Sequence, residues 1–341
     1  MKKLYKDDLR VFRSDSIQEL CEMAGGIEFS FPFDMRQLVL LKEQNRFEQE
    51  YFYIEHKGDF AFFILYKMKL NLFTFGKMNC MVNMQVIGYP CSLSEPGYIT
   101  NNVEMMLQYI GGIKGAKLVL NVPEPFPVKG FMQGETLPTC IFINDFRSVE
   151  EYIQTLRSSY RRRIVLAIKK CRDIETAELN DNIRNIHDLY LNTYSKSEYK
   201  LEKLEKGFFE EVDAVKLAFI RQKRPIGFVL LKQVEAKLIF MLCGMDYSEE
   251  TTDLYYYMLY TIICYGIEMG CKIIDFGQTS EETKMKFGAI LEKRYFYAHH
   301  SNKIVNALVK AGKGLLEYKY SFPEFRVFKT EQTNESIIGK T

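Results

Sequence analysis

The chain has no tryptophan and only four histidines, and none of its eight cysteines forms a C-x-x-C pair. So few histidines argue against a metal centre, which needs several convergent ligands. Cys21, Cys80, Cys91, Cys140, Cys171, Cys243, Cys264 and Cys271 stand singly, several of them in apolar runs; they read as buried free thiols. No apolar run approaches the roughly 20 residues of a membrane-crossing helix. The opening MKKLYKDDLRVFRSD lacks the apolar stretch of a signal peptide, so the expectation is a cytoplasmic protein. An excess of charge is also missing. Lys and Arg total 46 against 44 Asp and Glu, a formal net charge of +2, which leaves only local patches to attract nucleic acid or a membrane. No Gly-x-Ser-x-Gly elbow marks a serine hydrolase.

What the chain does have is apolar material, 47% of 341 residues with 14% aromatic, enough for two cores. The first 145 residues are rich in strands. Two aromatic and β-branched runs flank a turn at His56-Lys57-Gly58-Asp59, and CMVNMQVIGYP, AKLVLNV and TCIFINDF follow the same pattern. Between them NNVEMMLQYIGGI reads as a short helix capped by Asn101 or Asn102. Ser148 with Glu151 forms a capping box that opens a long amphipathic helix, or two in series, with apolar positions from Ile153 to Cys171. We therefore expect two domains, 1–147 and 148–341. In the second half VKLAFIRQ, PIGFVLLKQ and KLIFMLCGM read as strands. Thr252 caps a strong helix stopped by Gly270, and CKIIDF, a short helix from Ser280 to Gly288 opened by a capping box of Thr279 and Glu282, the strand EKRYFYAHH and a closing helix complete the order. Each half also contains a helix followed by Gly-x-Lys and an apolar strand, at Gly115 to Val119 and Gly270 to Ile274, which suggests a repeated α/β unit.

Asp275-Phe276-Gly277 spells the magnesium-binding tripeptide of protein kinases. The chain has no H-R-D, and a helix precedes the tripeptide, so a kinase is excluded. The plain reading of Asp275 is a strand-end residue bonded to the next turn, with Gly277 supplying backbone freedom there.

The strand–strand–strand–helix–strand–helix–strand order of the second half resembles the GNAT acyltransferase fold. LRSSYRRRIVLAIKK and MGCKIIDFGQTSEETKMKFGA, with Phe276-Gly277 and then Lys284 ahead of Gly288, resemble the branch containing the Fem peptidyltransferases. The resemblance covers about residues 150 to 300 and, through the repeat, the whole chain. It implies an α/β fold with a mixed sheet, two GNAT-like domains in tandem, and two parallel strands, Leu238 to Gly244 and Lys272 to Phe276, that splay to open a cleft. Cys243, Gly244, Phe276, Gly277, Gln278 and Lys284 would line that cleft, with Tyr256 the candidate among Tyr255, Tyr256 and Tyr257. Asp275 and Asp246 are the candidate bases, and in a cleft beside the tyrosines Asp275 would have a raised pKa.

The diphosphate-binding turn of ordinary acetyl-CoA enzymes is missing. Asp246, Glu249, Glu250 and Asp253 stand in its place and would repel a diphosphate. The Fem resemblance implies aminoacyl-tRNA as donor; acyl-CoA is the other co-substrate considered, and no bound cofactor is implied. The acceptor would be an amine or hydroxyl, such as a cell-wall precursor. Arg161 and Arg162, in a helix with seven cations, are the candidate phosphate contacts for tRNA or another phosphate-bearing ligand; a solvated helix face is the plain alternative. Lys284 and Lys286 follow Glu281 and Glu282, acids that suit the helix dipole, so a helix surface is the plain reading for both. The competing function is a non-catalytic binding protein on the same fold.

Overall fold

A computed structural model describes residues 8–75, 79–91, 93–179, 184–200, 202–249 and 251–330. In chain order the elements begin with β1 (Arg10–Ser14), α1 (Ile17–Met23), α2 (Met35–Glu43), β2 (Gln49–His56), β3 (Asp59–Asn71), β4 (Met81–Ile87), β5 (Tyr98–Thr100), α3 (Val103–Gly112), β6 (Ala116–Val122) and β7 (Met132–Ile143). They continue with α4 (Val149–Thr155), α5 (Ser158–Lys170), β8 (Glu175–Glu178), α6 (Arg184–Lys196), α7 (Lys206–Glu211), β9 (Val215–Arg221), β10 (Arg224–Val234), β11 (Lys237–Met245) and α8 (Thr251–Glu268). The last are β12 (Ile273–Asp275), α9 (Glu281–Met285), β13 (Ile290–His300), α10 (Lys303–Ala311) and α11 (Lys313–Leu316).

The chain forms two compact units. One comprises residues 1–138, 197–213 and 293–320, the other 139–196, 214–292 and 321–341. The expected cut between 147 and 148 falls inside the second unit, and each unit takes segments from both halves of the chain.

The first unit orders its strands β1-β2-β3-β4-β6-β13. β2 and β3 are joined by a two-residue turn, Lys57 at φ 51° and Gly58 at φ 92°. Such a turn matches the twist of paired strands and sets the register His56 to Asp59. Asn102 caps α3, its Oδ1 accepting from the Met105 N–H at 2.9 Å. Apolar α3 residues such as Met106 and Ile110 then pack on Phe63, Ile87 and Val119. β6 runs parallel to β4 over three residue pairs, Gln85–Lys117 to Ile87–Val119.

The second unit repeats this plan as β8-β9-β10-β11-β12-β7. Tight turns at Gln222-Lys223 and at Glu235 have positive φ and join β9, β10 and β11 into an antiparallel run. α8 returns the chain to β12, which lies parallel to β11. Gly266 lets α8 approach closely, since a Cβ there would sit 2.6 Å from the Ile274 side chain. Met258, Leu259, Ile262 and Ile263 of α8 face Leu238 and Ile274 in the core. In both units, then, three antiparallel strands lead through a helix to a parallel neighbour. The echo of Gly-x-Lys before β6 and before β12 marks that repeat.

The basic segment is two helices. Ser148 Oγ accepts from the Glu151 N–H at 3.2 Å, as the capping box requires. α4 then stops at Leu156, whose backbone is extended and bridges to Phe328.

Candidate active site

β11 and β12 pair only at Lys237–Ile273, Leu238–Ile274 and Ile239–Asp275. Beyond Ile239, β11 continues to Met245 against β10. The β12 chain follows β7 instead: the Phe276 N–H donates to Cys140 O at 2.9 Å, and the Cys140 N–H donates to Gly277 O at 3.0 Å. The two parallel strands therefore separate after three pairs, as the resemblance implied. Past Ile239, among the described residues, each of the two strands keeps ladder bonds to only one neighbour, β11 to β10 and the β12 chain to β7.

The loop that leaves β12 is conformationally unusual. Gly277 has φ 67°, Thr279 φ 63° and Ser280 φ 51°. A left-handed β-branched residue is costly and persists only where its surroundings enforce it. Lys284 supplies part of that enforcement. It is 2% exposed, and its Nζ donates to Gln278 O at 2.7 Å and to Gly277 O at 3.2 Å. The capping box expected from Thr279 and Glu282 does not form. The residue before α9 is Ser280, left-handed and without a side-chain cap.

Burial lowers the pKa of Lys284, while the neighbouring Cys140, Cys243, Glu281 and Asp275 favour its charged form. In its protonated form Lys284 carries three donors, and these two backbone bonds use two of them. The thiols beside it are not activated. Burial pushes Cys140 up to about 12 and Cys243 up to about 11, so neither is a thiolate at neutral pH. Tyr255 meets the same loop through Ser280, and burial raises its pKa as well.

Asp275 differs from its expected character. It is 2% exposed and fully engaged. Thr139 Oγ1 donates to its Oδ1 at 2.9 Å, the Gly277 N–H donates to the same oxygen at 2.8 Å, and Lys237 Nζ lies 3.1 Å from Oδ2. Burial alone would raise its pKa, but the Lys237 ammonium and the hydrogen bonds outweigh it, and the pKa falls below the usual range. A carboxylate held in this way organises the turn and is a poor proton acceptor.

Asp246 is also anchored away from any basic role. Its Oδ1 accepts from the Ser248 N–H at 2.9 Å and from Ser248 Oγ at 2.7 Å, and Arg224 binds Oδ2 at 2.6 Å. The Ser248 bonds, with Arg224, lower its pKa. Glu249 joins Arg221 at 2.5 Å and Arg224 at 2.8 Å. Asp253 joins Arg163 at 2.8 Å and Lys170 at 2.6 Å. The acidic stretch ahead of α8 is therefore matched by cations, which softens the repulsion expected from sequence; Glu250 lies outside the described residues.

Three other expected cleft residues are placed elsewhere. Phe276 is buried and meets Phe142 edge-on at 6.3 Å. Gly244 is pressed against α6, where a Cβ would lie 2.6 Å from the backbone of Leu189 and Tyr190. Tyr256 is buried under the Arg163 guanidinium, 3.9 Å from its ring centre, and Tyr255 takes the position at the loop. Cys243, Gly277, Gln278 and Lys284 remain at the divergence. Thr139 and Lys237 carried no sequence signal, because each gains its role only through the pairing of β7 and β11 with β12.

On α5, Arg162 is exposed and Arg161 half-buried. Among the described residues neither is ion-paired, whereas Arg163 and Lys170 are. Among the described residues no cluster of His, Cys, Asp or Glu could hold a metal ion.

Antiparallel strands leading through a helix into a splayed parallel pair, repeated in tandem, define a GNAT-like α/β fold of the Fem type. FemX is 12% identical, with 83% of this chain and 95% of FemX covered at a TM-score of 0.50. L-PGS from Bacillus licheniformis is 10% identical over 80% of this chain and 90% of its own, with a TM-score of 0.48. A tandem GNAT protein from the clavulanic acid biosynthesis pathway is 6% identical over 86% and 99%, with a TM-score of 0.47. At these identities the likeness is one of fold. No protein-family model and no curated protein sequence matches the chain.

Proposed function

We propose that the chain transfers an acyl or aminoacyl group to an amine or hydroxyl acceptor in the cleft of the second unit. The observation that carries this reading is the buried Lys284 Nζ, held by the Gly277 and Gln278 carbonyls where β11 and β12 diverge. The acceptor attacks the donor carbonyl directly. The free N–H of Lys284 stabilises the oxyanion as it forms, the carbonyl–leaving-group bond breaks, and the leaving thiol or ribose hydroxyl takes up the acceptor's proton. Protonated, buried thiols at Cys140 and Cys243 favour direct attack over a thioester on the enzyme. Asp275 keeps the turn in shape and Lys284 in register with it.

Arg161 and Arg162 are our candidates for phosphate contacts, and aminoacyl-tRNA is the donor we favour. Asp246 and Glu249 ahead of α8 and Asp253 in its first turn supply no excess positive charge for the diphosphate of coenzyme A, and the resemblance of the sequence motifs to the Fem branch implies that donor. The acceptor we favour is a cell-wall precursor bearing a free amine. The test is to incubate the full chain with aminoacyl-tRNA, and separately with acyl-CoAs, together with amine acceptors of this class, and to identify products by mass. Transfer from aminoacyl-tRNA supports the proposal in full. Transfer from acyl-CoA alone retains the transferase and removes the tRNA. Donor binding without any transfer would favour the binding-protein reading.

A further inference from the structure

The three most exposed large apolar side chains among the described residues are Ile304, Leu308 and Leu315, at 75%, 67% and 59%. All three lie in the segment formed by α10 and α11, within the first unit. At 100° per residue Ile304 and Leu308 fall on one side of α10. On another side Val309 of α10, with Leu316 of α11, packs partly buried against Met132, Phe296 and Ala298. α10 is therefore anchored by one apolar face and presents a second to solvent. A helix that needed only to cover its sheet would carry polar residues there.

The charge beside that outer face has one sign. Residues 301–320 contain Lys303, Lys310, Lys313 and Lys319 against the single acid Glu317, and all four lysines are exposed. Glu317 is itself occupied, near Lys313 at 3.5 Å and accepting from the Glu135 N–H at 3.3 Å. Among the described residues Lys303 and Lys310 are not ion-paired.

We propose that α10 and α11 form an interfacial docking surface for an anionic lipid bilayer, lying in its plane with Ile304, Leu308 and Leu315 inserted between headgroups and the lysines against lipid phosphates. An apolar stripe on a segment that also carries four exposed lysines, Lys303 and Lys310 lying together on one side of it, suits that boundary, where apolar insertion and attraction to anionic headgroups add. No described helix is long and apolar enough to cross a membrane, so contact is from one side. The inference stands apart from the proposed transfer chemistry, since it uses residues of the other unit only.

The test is cosedimentation of the full chain with vesicles of phosphatidylcholine alone and with vesicles of equal parts phosphatidylcholine and phosphatidylglycerol. Binding should be about tenfold or more tighter to the anionic vesicles and should weaken with salt. Ile304→Asp with Leu308→Asp, at exposed positions, should leave the melting temperature unchanged and reduce binding about tenfold or more. Lys303→Gln with Lys310→Gln should remove the preference for phosphatidylglycerol. Failure of the wild-type chain to sediment with either vesicle overturns the proposal, as does binding that the aspartates leave unchanged. A wild-type dimer that the aspartates dissociate, with no vesicle binding, also overturns it and makes the stripe a contact between copies of the chain.

Discussion

Burial pushes Asp275 and Lys284 toward their neutral forms, yet the two are compensated unequally. Asp275 has an ammonium, a hydroxyl and a backbone N–H around one carboxylate, and these overcome desolvation. Its folded pKa lies below the unfolded value near ~3.9. The stability it contributes is therefore present above that value and disappears as pH falls through the folded pKa. Asp275→Asn should cost about 1–3 kcal/mol at neutral pH, a range discounted because Lys237 is partly exposed and can rehydrate. The difference from wild type should shrink in acid, as denaturant unfolding at a series of pH values would measure. An equal difference at all pH values would mean that the carboxylate's charge does not hold the turn. Sequence placed Asp275 at a strand end beside a turn and Lys284 beside the cleft. The depth of both, and the exchange of Tyr256 for Tyr255, depend on which side of α8 faces the loop, which neighbouring tyrosines do not disclose.

At the scale of elements, the clearest signals were periodic ones. β2, β3, β9, β10, β11 and α8 all follow apolar patterns or turn residues that local physics reads directly. The start of α9 was misread for a physical reason. Thr279 and Glu282 have capping-box spacing, but Gly277, Thr279 and Ser280 are left-handed, in a loop whose Gly277 and Gln278 carbonyls accept from Lys284, and the local motif yields to that loop. The seven cations from Arg157 to Arg172, five of them in α5, look alike in sequence. Asp253 sorts them by holding Arg163 and Lys170, while Arg161 and Arg162 stay unpaired among the described residues. Replacing both with Ala should weaken binding of a phosphate-bearing ligand such as tRNA and reduce the slope of log affinity against log salt by about one to two units, through the counterions no longer released. Titration of tRNA at several salt concentrations measures this, and an unchanged slope would leave α5 a solvated face.

For the whole molecule, a tandem GNAT-like plan was visible in the order of elements and in the Gly-x-Lys echo, but the makeup of each unit was not. β13 pairs with β6 in the first unit, and the second half of β7 pairs with β12 in the second. Pairings between strands so distant in sequence have no local signature. A fragment of residues 1–147 lacks β13, α10 and α11, and so lacks Tyr297 from its core. We expect it to show no cooperative urea transition by circular dichroism, although the full chain does. A sharp transition in the fragment would restore contiguous domains.

The most direct test of the central claim is the rate of acyl or aminoacyl transfer by wild type, Lys284→Arg and Lys284→Met, each checked for an unchanged fold. If the buried ammonium stabilises the oxyanion, Lys284→Met should lower turnover about a hundredfold or more with a small change in KM, and Lys284→Arg should recover part of the loss. Full turnover in a folded Lys284→Met chain would contradict the account.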